Sequence, residues 1–177
     1  MAIRAFDGVT PIVPDTCFVD DLSLVLGRVT LGEDCSVWPM TVLRGDVHSI
    51  TVGDRTNVQD GSILHVTHYH ELNPKGSPLK IGDDVTIGHN AVVHACTIGS
   101  RVLIGMHATV LDDAIIEDDV LLGAGALVPP GKVLKSGHLY VGNPAKMIRP
   151  LKPEDMDFLV YSAKHYVDVK NHHLGVK

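Results

Sequence analysis

Three histidines are the residues of this sequence whose type and spacing could do chemistry. His89 and His94 stand five residues apart in the segment IGHNAVVH, and His65 stands upstream of them. Neutral imidazoles bind zinc and other divalent transition metals, and three of them leave a fourth position open for water. Whether these side chains can meet at one metal depends on the elements that position them.

A six-residue repeat of aliphatic side chains runs through most of the 177-residue chain. It is interrupted by three extra residues before Val52, by an irregular segment over residues 65–80, by a short step before Ile98 and by a long step that ends at Val141. A glycine or an acidic residue often follows the aliphatic position. The aliphatic positions are Val13, Val19, Val25, Leu31, Val37, Leu43, Val52, Val58, Leu64, Ile81, Ile87, Val93, Ile98, Ile104, Val110, Ile116, Leu122, Val128, Leu134 and Val141.

This period predicts parallel strands wound into a coil. A helix would need apolar spacings of three and four, and hairpins would show alternating residues with frequent turns. A period of six with glycine in the second place is typical of hexapeptide repeats, in which three hexads form one triangular coil and coils stack at ~4.8 Å. We therefore predict an all-β domain over residues 1–150, a single-stranded parallel β-helix.

The segment after residue 150 has the pattern of a helix. Pro153, Glu154 and Asp155 form a good helix start, with proline in the first position and acids in the first turn. We predict a C-terminal α-helix within residues 151–177 that packs on the outside of the β-helix. Its apolar stripe at helical spacing comprises Met156, Leu159, Val160, Ala163 and Val167.

Composition and charge exclude several classes of function. A net charge of −6 and a pI near 5.9 oppose binding to the phosphate backbone of nucleic acids. No apolar run approaches the ~20 residues of a membrane span, and the N-terminal residues lack the apolar core of a signal peptide. Three scattered cysteines fit a reducing compartment, and Cys17 and Cys35 should stack as small core residues. We expect a cytoplasmic protein with no nucleic-acid or membrane partner.

The register of the repeat brings two of the histidines together. Leu64 and Val93 are three hexads apart once the insertion is discounted, so they should stack on adjacent coils. His65 and His94 follow them directly and should form a column on one outer face, with Arg44 in line on the coil before. Adjacent coils place such side chains about 5 Å apart, which suits two ligands of one metal.

The third histidine belongs to a different face. Val58 and Ile87 should also stack, and Asp60 and His89 follow them by two residues, with Gln59 beside them. His89 should therefore be unable to join the other two histidines within one chain. A homotrimer that repeats one contact between unlike faces would complete the set of ligands.

These motifs resemble the gamma-class carbonic anhydrase family. The resemblance rests on Arg44-Gly45-Asp46, on Asn57-Val58-Gln59-Asp60, on His65 and on the pair His89 and His94, all set on a hexapeptide ladder. It covers nearly the whole chain, including the predicted C-terminal helix. It implies that the β-helix is left-handed.

The resemblance also implies a metal centre and a reaction. The family's zinc ligands fall on His65, His89 and His94, with Fe2+ or Co2+ as other metals that imidazoles accept. Such a centre would hydrate CO2 reversibly to bicarbonate by a metal-bound hydroxide at the trimer interfaces.

Four further residues match the family's supporting positions. Gln59 matches the residue that orients the hydroxide. Arg44 and Asp60 match an ion pair across the subunit interface, and Asp46 matches a partner in that network. The resemblance assigns all four to the catalytic site.

Two departures concern proton export from the site. Val47 stands where the best-characterised members carry a glutamate, and the segment after His65 lacks their acidic loop with its proton-shuttling glutamate. The chain therefore resembles the shorter branch of the family. His68, His70 or Glu71 are the residues in this segment that could replace the missing acids.

Two other interpretations remain open on the sequence alone, a second kind of enzyme and a protein without catalytic activity. Many acyltransferases share the hexapeptide ladder, and a thioester hydrolase could use the same kind of metal site. Acyl transfer would need a catalytic histidine outside the metal set and a groove for coenzyme A. The sequence shows no extended basic feature for coenzyme A, and Arg101 and Lys132 are the basic residues left to consider. The interpretation without catalytic activity is a trimeric scaffold or accessory protein stabilised by metal.

Overall fold

The computed structural model describes residues 2–176, and within them the chain forms nineteen short strands and one long helix. The outermost residues of the two predicted segments, Met1 and Lys177, lie outside the described residues. The strands up to the irregular segment are β1 (Ile3–Arg4), β2 (Phe18–Val19), β3 (Leu24–Leu31), β4 (Ser36–Val37), β5 (Val42–Val52), β6 (Asn57–Val58) and β7 (Ile63–His65). The later elements are β8 (Leu79–Ile81), β9 (Thr86–Ile87), β10 (Val92–His94), β11 (Thr97–Ile98), β12 (Leu103–Ile104), β13 (Thr109–Val110), β14 (Ile115–Ile116), β15 (Val120–Leu122), β16 (Leu127–Val128), β17 (Val133–Leu134), β18 (His138–Val141), β19 (Lys146–Pro150) and α1 (Pro153–Leu174).

The strands form a triangular parallel β-helix, which confirms the predicted fold class. The first face carries the start of β3 and of β5, then β7, β10, β13 and β16. The second face carries the ends of β3 and β5, then β8, β11, β14 and β17. The third face carries β2, β4, β6, β9, β12, β15 and β18, and β19 pairs antiparallel with β18 at its end.

The aliphatic ladder fills the inside of this prism, as the six-residue repeat predicts. On the first face Leu43 pairs with Leu64, which pairs with Val93, and all three are fully buried. Side chains this small suit a narrow core, because three faces converge on one axis.

The last step of the ladder differs from the prediction. Tyr140, not Val141, pairs with Leu122 and enters the core, where it is 3 % exposed, whereas Val141 is 37 % exposed. Tyr140 keeps the step from Leu134 at six residues, so no extra residue is needed. Its hydroxyl accepts from the backbone N–H of Lys135, which satisfies the polar end of a large ring at the end of the prism.

Tight corners join the faces. At several corners a residue other than glycine has a left-handed backbone, with φ of 57° at Asn90, 58° at His107 and 58° at Asp113. Asparagine, aspartate and histidine tolerate this region better than most residues. The corner residues thereby turn the chain from one face to the next without lengthening the coil.

Helix α1 lies along the third face. Ser162 Oγ and Thr86 Oγ1 are 2.9 Å apart, and the buried Lys170 Nζ is 2.8 Å from Asp34 Oδ1. The helix begins at Pro153 as predicted, and Asp155 accepts from the backbone N–H of Lys152 at 2.7 Å.

The buried side of α1 differs in part from the predicted apolar stripe. Val160 is 54 % exposed, whereas Ser162 and Lys170 are buried, because the face beneath them offers polar partners. His173 is exposed, but its ring lies 5.1 Å from that of Phe18 and 5.2 Å from that of Trp38. Among residues 2–176, no helix has an apolar stretch long enough to cross a bilayer.

The cysteines pack in the core, as predicted for Cys17 and Cys35. Cys35 is 1 % exposed, and the thiols of Cys17 and Cys35 each donate to a backbone carbonyl. Burial raises the pKa of Cys96 above its ordinary value, so this thiol is poorly suited to act as a nucleophile.

Candidate metal centre

The first face brings His65 and His94 together, as the register predicts. The two residues are partners on the adjacent strands β7 and β10, and Nδ1 of His65 lies 3.1 Å from Nε2 of His94. Both rings are partly buried, with side-chain exposures of 17 % and 29 %. The pair is therefore held by backbone pairing rather than by a flexible loop.

Asp46 fixes the outer side of the His65 ring. Its Oδ1 lies 3.1 Å from Nε2 of His65, and its Oδ2 accepts from Arg44 at 2.6 Å. Burial alone would raise the pKa of Asp46, but hydrogen bonds from Arg44 and His65 outweigh it and the pKa lies below its ordinary value. Burial lowers the pKa of His65 despite the neighbouring Asp46, so the ring is neutral near pH 7. A neutral ring is the form that binds a metal.

Asp112 fixes the outer side of the His94 ring, and it is not among the site residues predicted from the sequence. Its Oδ1 lies 2.7 Å from Nδ1 of His94, and its Oδ2 accepts from the hydroxyl of Thr67. Burial alone would raise the pKa of Asp112, but the bonds from Thr67 and His94 outweigh it and the net shift is downward. Asp112 follows the core residue Val110 by two positions, one coil beyond His94, and this register could have revealed it.

His89 lies apart from this pair, at the corner that follows β9 on the third face. Its Nδ1 lies 2.9 Å from Oδ2 of Asp60, which stacks beneath it as predicted. Within residues 2–176 of a single chain, no three His, Cys, Asp or Glu side chains converge so that they could hold a metal ion. The structure thus joins two of the predicted ligands and separates the third from them.

The three histidines share one chemical arrangement. Each directs one ring nitrogen at a carboxylate, of Asp46, Asp60 or Asp112. An ionised carboxylate can only accept, so that nitrogen carries the hydrogen and the other nitrogen of a neutral ring keeps its lone pair. Metal-binding histidines are oriented in this way in proteins, and the donor set therefore fits zinc.

Gln59 is held by a chain of hydrogen bonds that reaches α1. Its amide donates to Oδ1 of Asn57 at 3.1 Å, Asn57 donates to Oγ1 of Thr86 at 3.0 Å, and Thr86 contacts Ser162 of the helix. Gln59 is 4 % exposed, and it lines the same groove as His89. The amide of Gln59 is thus held in one orientation in the wall of the groove that His89 also lines.

A groove of about 420 Å3 runs between α1 and the third face. His89 and Gln59 lie in its wall, and most of the remaining wall is apolar. The other lining residues are Thr86, Gly88, Leu103, Ile104, Gly105, Met106, Leu121, Leu122, Gly123, Ala124, Phe158, Tyr161, Ser162, His165 and Tyr166. The groove gives an apolar approach to the imidazole of His89.

The residues that the resemblance connects with proton export have distinct surroundings. Val47 packs partly buried against the hydrophobic core, so a glutamate there would have to leave that packing. His68, His70 and Glu71 are exposed in the segment between β7 and β8, and the two imidazole rings lie 5.3 Å apart. The exposed histidines are thus in contact with solvent, where a proton carrier must be.

Two family models match parts of the chain. Residues 95–130 match the family described as bacterial transferase hexapeptide (six repeats), and residues 78–111 match the hexapeptide repeat of succinyl-transferase. Both matches fall on the ladder that forms the prism.

Several relatives match almost all of the chain. YrdA of Escherichia coli is 52 % identical over 97 % of this chain and 94 % of its own length. A carbonic anhydrase of Geobacillus kaustophilus is 38 % identical, over 94 % of this chain and 87 % of its own. Mitochondrial gamma carbonic anhydrase 2 of Arabidopsis thaliana is 40 % identical over 93 % of this chain, which spans 59 % of that longer protein.

A solved structure shares the fold closely. The hexapeptide transferase family protein of Anaplasma phagocytophilum is 37 % identical, with a TM-score of 0.88 over 97 % of both chains. The ladder, the left-handed β-helix that it builds and the near full-length relatives agree. The chain belongs to the gamma carbonic anhydrase-like family of hexapeptide-repeat proteins.

Proposed function

We propose that this protein is a zinc-dependent, cytoplasmic carbonic anhydrase-like enzyme that hydrates CO2 reversibly to bicarbonate. The proposed metal ligands are His65 and His94 of one chain and His89 of a neighbouring chain in a homotrimer. Relatives named as carbonic anhydrases support this reaction class.

The observation that carries the proposal is the facing pair of ring nitrogens. Nδ1 of His65 and Nε2 of His94 are 3.1 Å apart, and the carboxylates behind the rings leave lone pairs on both atoms. Two lone pairs at this distance repel unless a cation lies between them. Tetrahedral zinc separates two imidazole nitrogens by about 3.3 Å, so the spacing is close to that of a shared ion.

The surroundings of His89 support an interface with a second chain. Met40 and Met106 lie at the corner that also carries His89, and they are 65 % and 53 % exposed. On the first face Ile63 is 46 % exposed beside His65. Exposed apolar side chains near both halves of the site are typical of surfaces that associate. A cyclic trimer would bring the two faces together three times.

The residues of this chain would then have separate roles in the reaction. Bound zinc would supply a nucleophile near pH 7 by lowering the pKa of a coordinated water. Arg44 and Asp46 hold the His65 ring, and Gln59 presents a fixed amide beside His89 that can orient a small polar group. The apolar groove suits the approach of CO2, which is itself apolar. His68 and His70 are the exposed groups that would carry the proton to solvent.

A second candidate is the hydrolysis or transfer of an apolar acyl group. The groove of about 420 Å3 is larger than CO2 requires and could hold an acyl chain beside His89. The likeness to a hexapeptide transferase family protein favours the same class. A panel of thioesters and acyl donors separates this reaction from CO2 hydration.

The test is metal analysis of protein purified without oxygen, followed by stopped-flow CO2 hydration on the same sample. We expect about one zinc, or Fe2+ or Co2+, per chain and hydration that is abolished by removal of the metal. Imidazole buffer should raise the rate, because it replaces the acids that the chain lacks. Full metal occupancy without hydration would contradict the proposal. Turnover of thioesters would then favour the second candidate, and no turnover at all would leave a metal-stabilised scaffold.

A further inference from the structure

Asp112 is the member of the candidate centre that neither the family motifs nor the proposed catalytic set includes. Its carboxylate has two partners on two different elements, Nδ1 of His94 on β10 and the hydroxyl of Thr67 beyond β7. Both oxygens are therefore engaged. A side chain with both oxygens bound has one orientation, and it can impose that orientation on its neighbour.

The contact with His94 decides which ring nitrogen is free. The carboxylate can only accept a hydrogen bond, so Nδ1 of His94 carries the hydrogen and Nε2 faces His65 with its lone pair. Without this partner the ring could rotate or take the other tautomer. Either change would remove the lone pair from the place where it faces His65.

The contact with Thr67 ties the same carboxylate to the segment between β7 and β8. Thr67 and Ser77 pair through two backbone hydrogen bonds of 3.0 Å, and the Ser77 hydroxyl donates to Asp113 at 2.8 Å. Asn73, farther out in the segment, donates to the Ser77 hydroxyl at 3.0 Å. Two consecutive aspartates thus anchor this segment, and only the first of them also contacts a proposed ligand.

We propose that Asp112 is a positioning residue that fixes the tautomer and the orientation of His94 for zinc. The proposal rests on the proposed function, because it concerns the same centre. It assigns Thr67 the role of holding the carboxylate, so that the segment between β7 and β8 and the metal ligand share one anchor. Asp113 anchors the segment alone.

The test compares the full-length variants Asp112→Ala, Asp112→Asn and Asp113→Asn with the wild type. Asparagine tolerates the left-handed backbone of Asp113, so the third variant is a matched control one residue away. Zinc affinity is measured by competition with a chromophoric chelator. We expect Asp112→Ala to bind zinc roughly 10–100-fold more weakly, Asp112→Asn to lose less, and Asp113→Asn to stay within about twofold.

A second measurement on metal-free protein separates positioning from a general structural effect. Long-range 1H–15N NMR correlations report which nitrogen of a histidine carries hydrogen, and His94→Gln identifies the signals of His94. We expect the Nδ1–H tautomer in the wild type and in Asp113→Asn, and its loss in Asp112→Ala. If Asp112→Ala does not fold, Asp112→Leu, which keeps the volume but cannot accept a hydrogen bond from Nδ1 of His94, gives the same comparison.

The outcomes distinguish this inference from the proposed function. Unchanged zinc affinity together with an unchanged tautomer in the Asp112 variants would overturn the role of Asp112. A wild type that binds no zinc would overturn the proposed function. In that case the tautomer of His94 in the metal-free variants would still decide whether Asp112 orients the ring.

Discussion

At the scale of single residues, the candidate centre is defined by what lies behind each imidazole ring. Asp46, Asp60 and Asp112 each take one ring nitrogen, which leaves the other free. Burial lowers the pKa of His65, and a neutral ring needs no proton loss before it binds a metal. The surrounding carboxylates also place negative charge near a site proposed for a cation.

The first prediction at this scale concerns His94→Ala. The side chain points outward from β10, while its neighbour Val93 fills the core, so truncation should leave the prism intact. We expect zinc binding to weaken more than 100-fold, because the loss of a ligand exceeds the 10–100-fold typical of an outer partner. The free energy of unfolding should change by no more than about 1 kcal/mol.

Equilibrium dialysis against zinc and urea unfolding followed by circular dichroism measure the two quantities. Leu111→Ala, on the same face after β13, is a control that removes a side chain without removing an imidazole. Loss of the β signal in His94→Ala at low urea would mean that the residue is structural.

The sequence sufficed to predict part of this centre. The pairing of His65 with His94 follows from counting hexads, because a parallel coil leaves no freedom in register. The register places Asp112 one coil beyond His94, but the 2.7 Å contact between its carboxylate and Nδ1 of His94 depends on the rotamers of the two side chains. The use of Asp46 by both Arg44 and His65 likewise depends on side-chain rotamers, which a repeat does not encode.

At the scale of elements, the start of α1 offers a test of electrostatics. Hydrogen bonds from Arg149 and from the backbone N–H of Lys152 lower the pKa of Asp155 from its ordinary value of 3.8 to about 2. A carboxyl group with a depressed pKa in the folded state stabilises the fold above its ordinary pKa. This contribution is lost as the pH falls from 3.8 towards about 2.

We therefore expect Asp155→Asn to have a lower thermal midpoint than the wild type at pH 7. The difference should shrink between pH 3.8 and about pH 2 and then vanish, because the wild-type carboxyl group is also neutral there. Differential scanning calorimetry over this range measures it. Asp157→Asn makes the same charge change at an exposed site of the same helix, and an equal effect there would contradict the assigned role.

The elements themselves were largely predictable, and the exceptions have physical causes. Tyr140 was missed because the repeat was followed through aliphatic residues, whereas a ring with a satisfied hydroxyl also fits the end of the prism. Val160 was assigned to the buried side of α1 because an apolar residue was expected to face the β-helix. The third face instead offers Thr86 and Asp34, which favour Ser162 and Lys170.

At the scale of the whole molecule, the separation of His89 from His94 yields a prediction about assembly. Neither His89→Ala nor His94→Ala alone should hold metal in a trimer whose sites span two chains. If the two variants are unfolded and refolded together, an interface is complete when the His89→Ala chain supplies His65 and His94 and the His94→Ala chain supplies His89. Random assortment makes this about a quarter of all interfaces in a cyclic trimer.

Metal content, and any hydration activity, should recover to about that fraction in the mixture. Native mass spectrometry verifies that mixed trimers have formed. A mixture of the two variants that were refolded separately is the control and should recover nothing. Mixed trimers without recovered metal would mean that the ligands come from one chain.

Helix α1 has a consequence for how the molecule comes apart. Each coil of a solenoid touches only its neighbours, so such a stack can fray one coil at a time from either end. Here a single helix contacts Arg149 after the last coil, Thr86 in the middle and Asp34 near the first coils. Fraying at either end would have to break contacts of the helix as well. Helix α1 thus couples distant coils, so that the unfolding of one coil destabilises the others. This coupling favours unfolding in a single cooperative step.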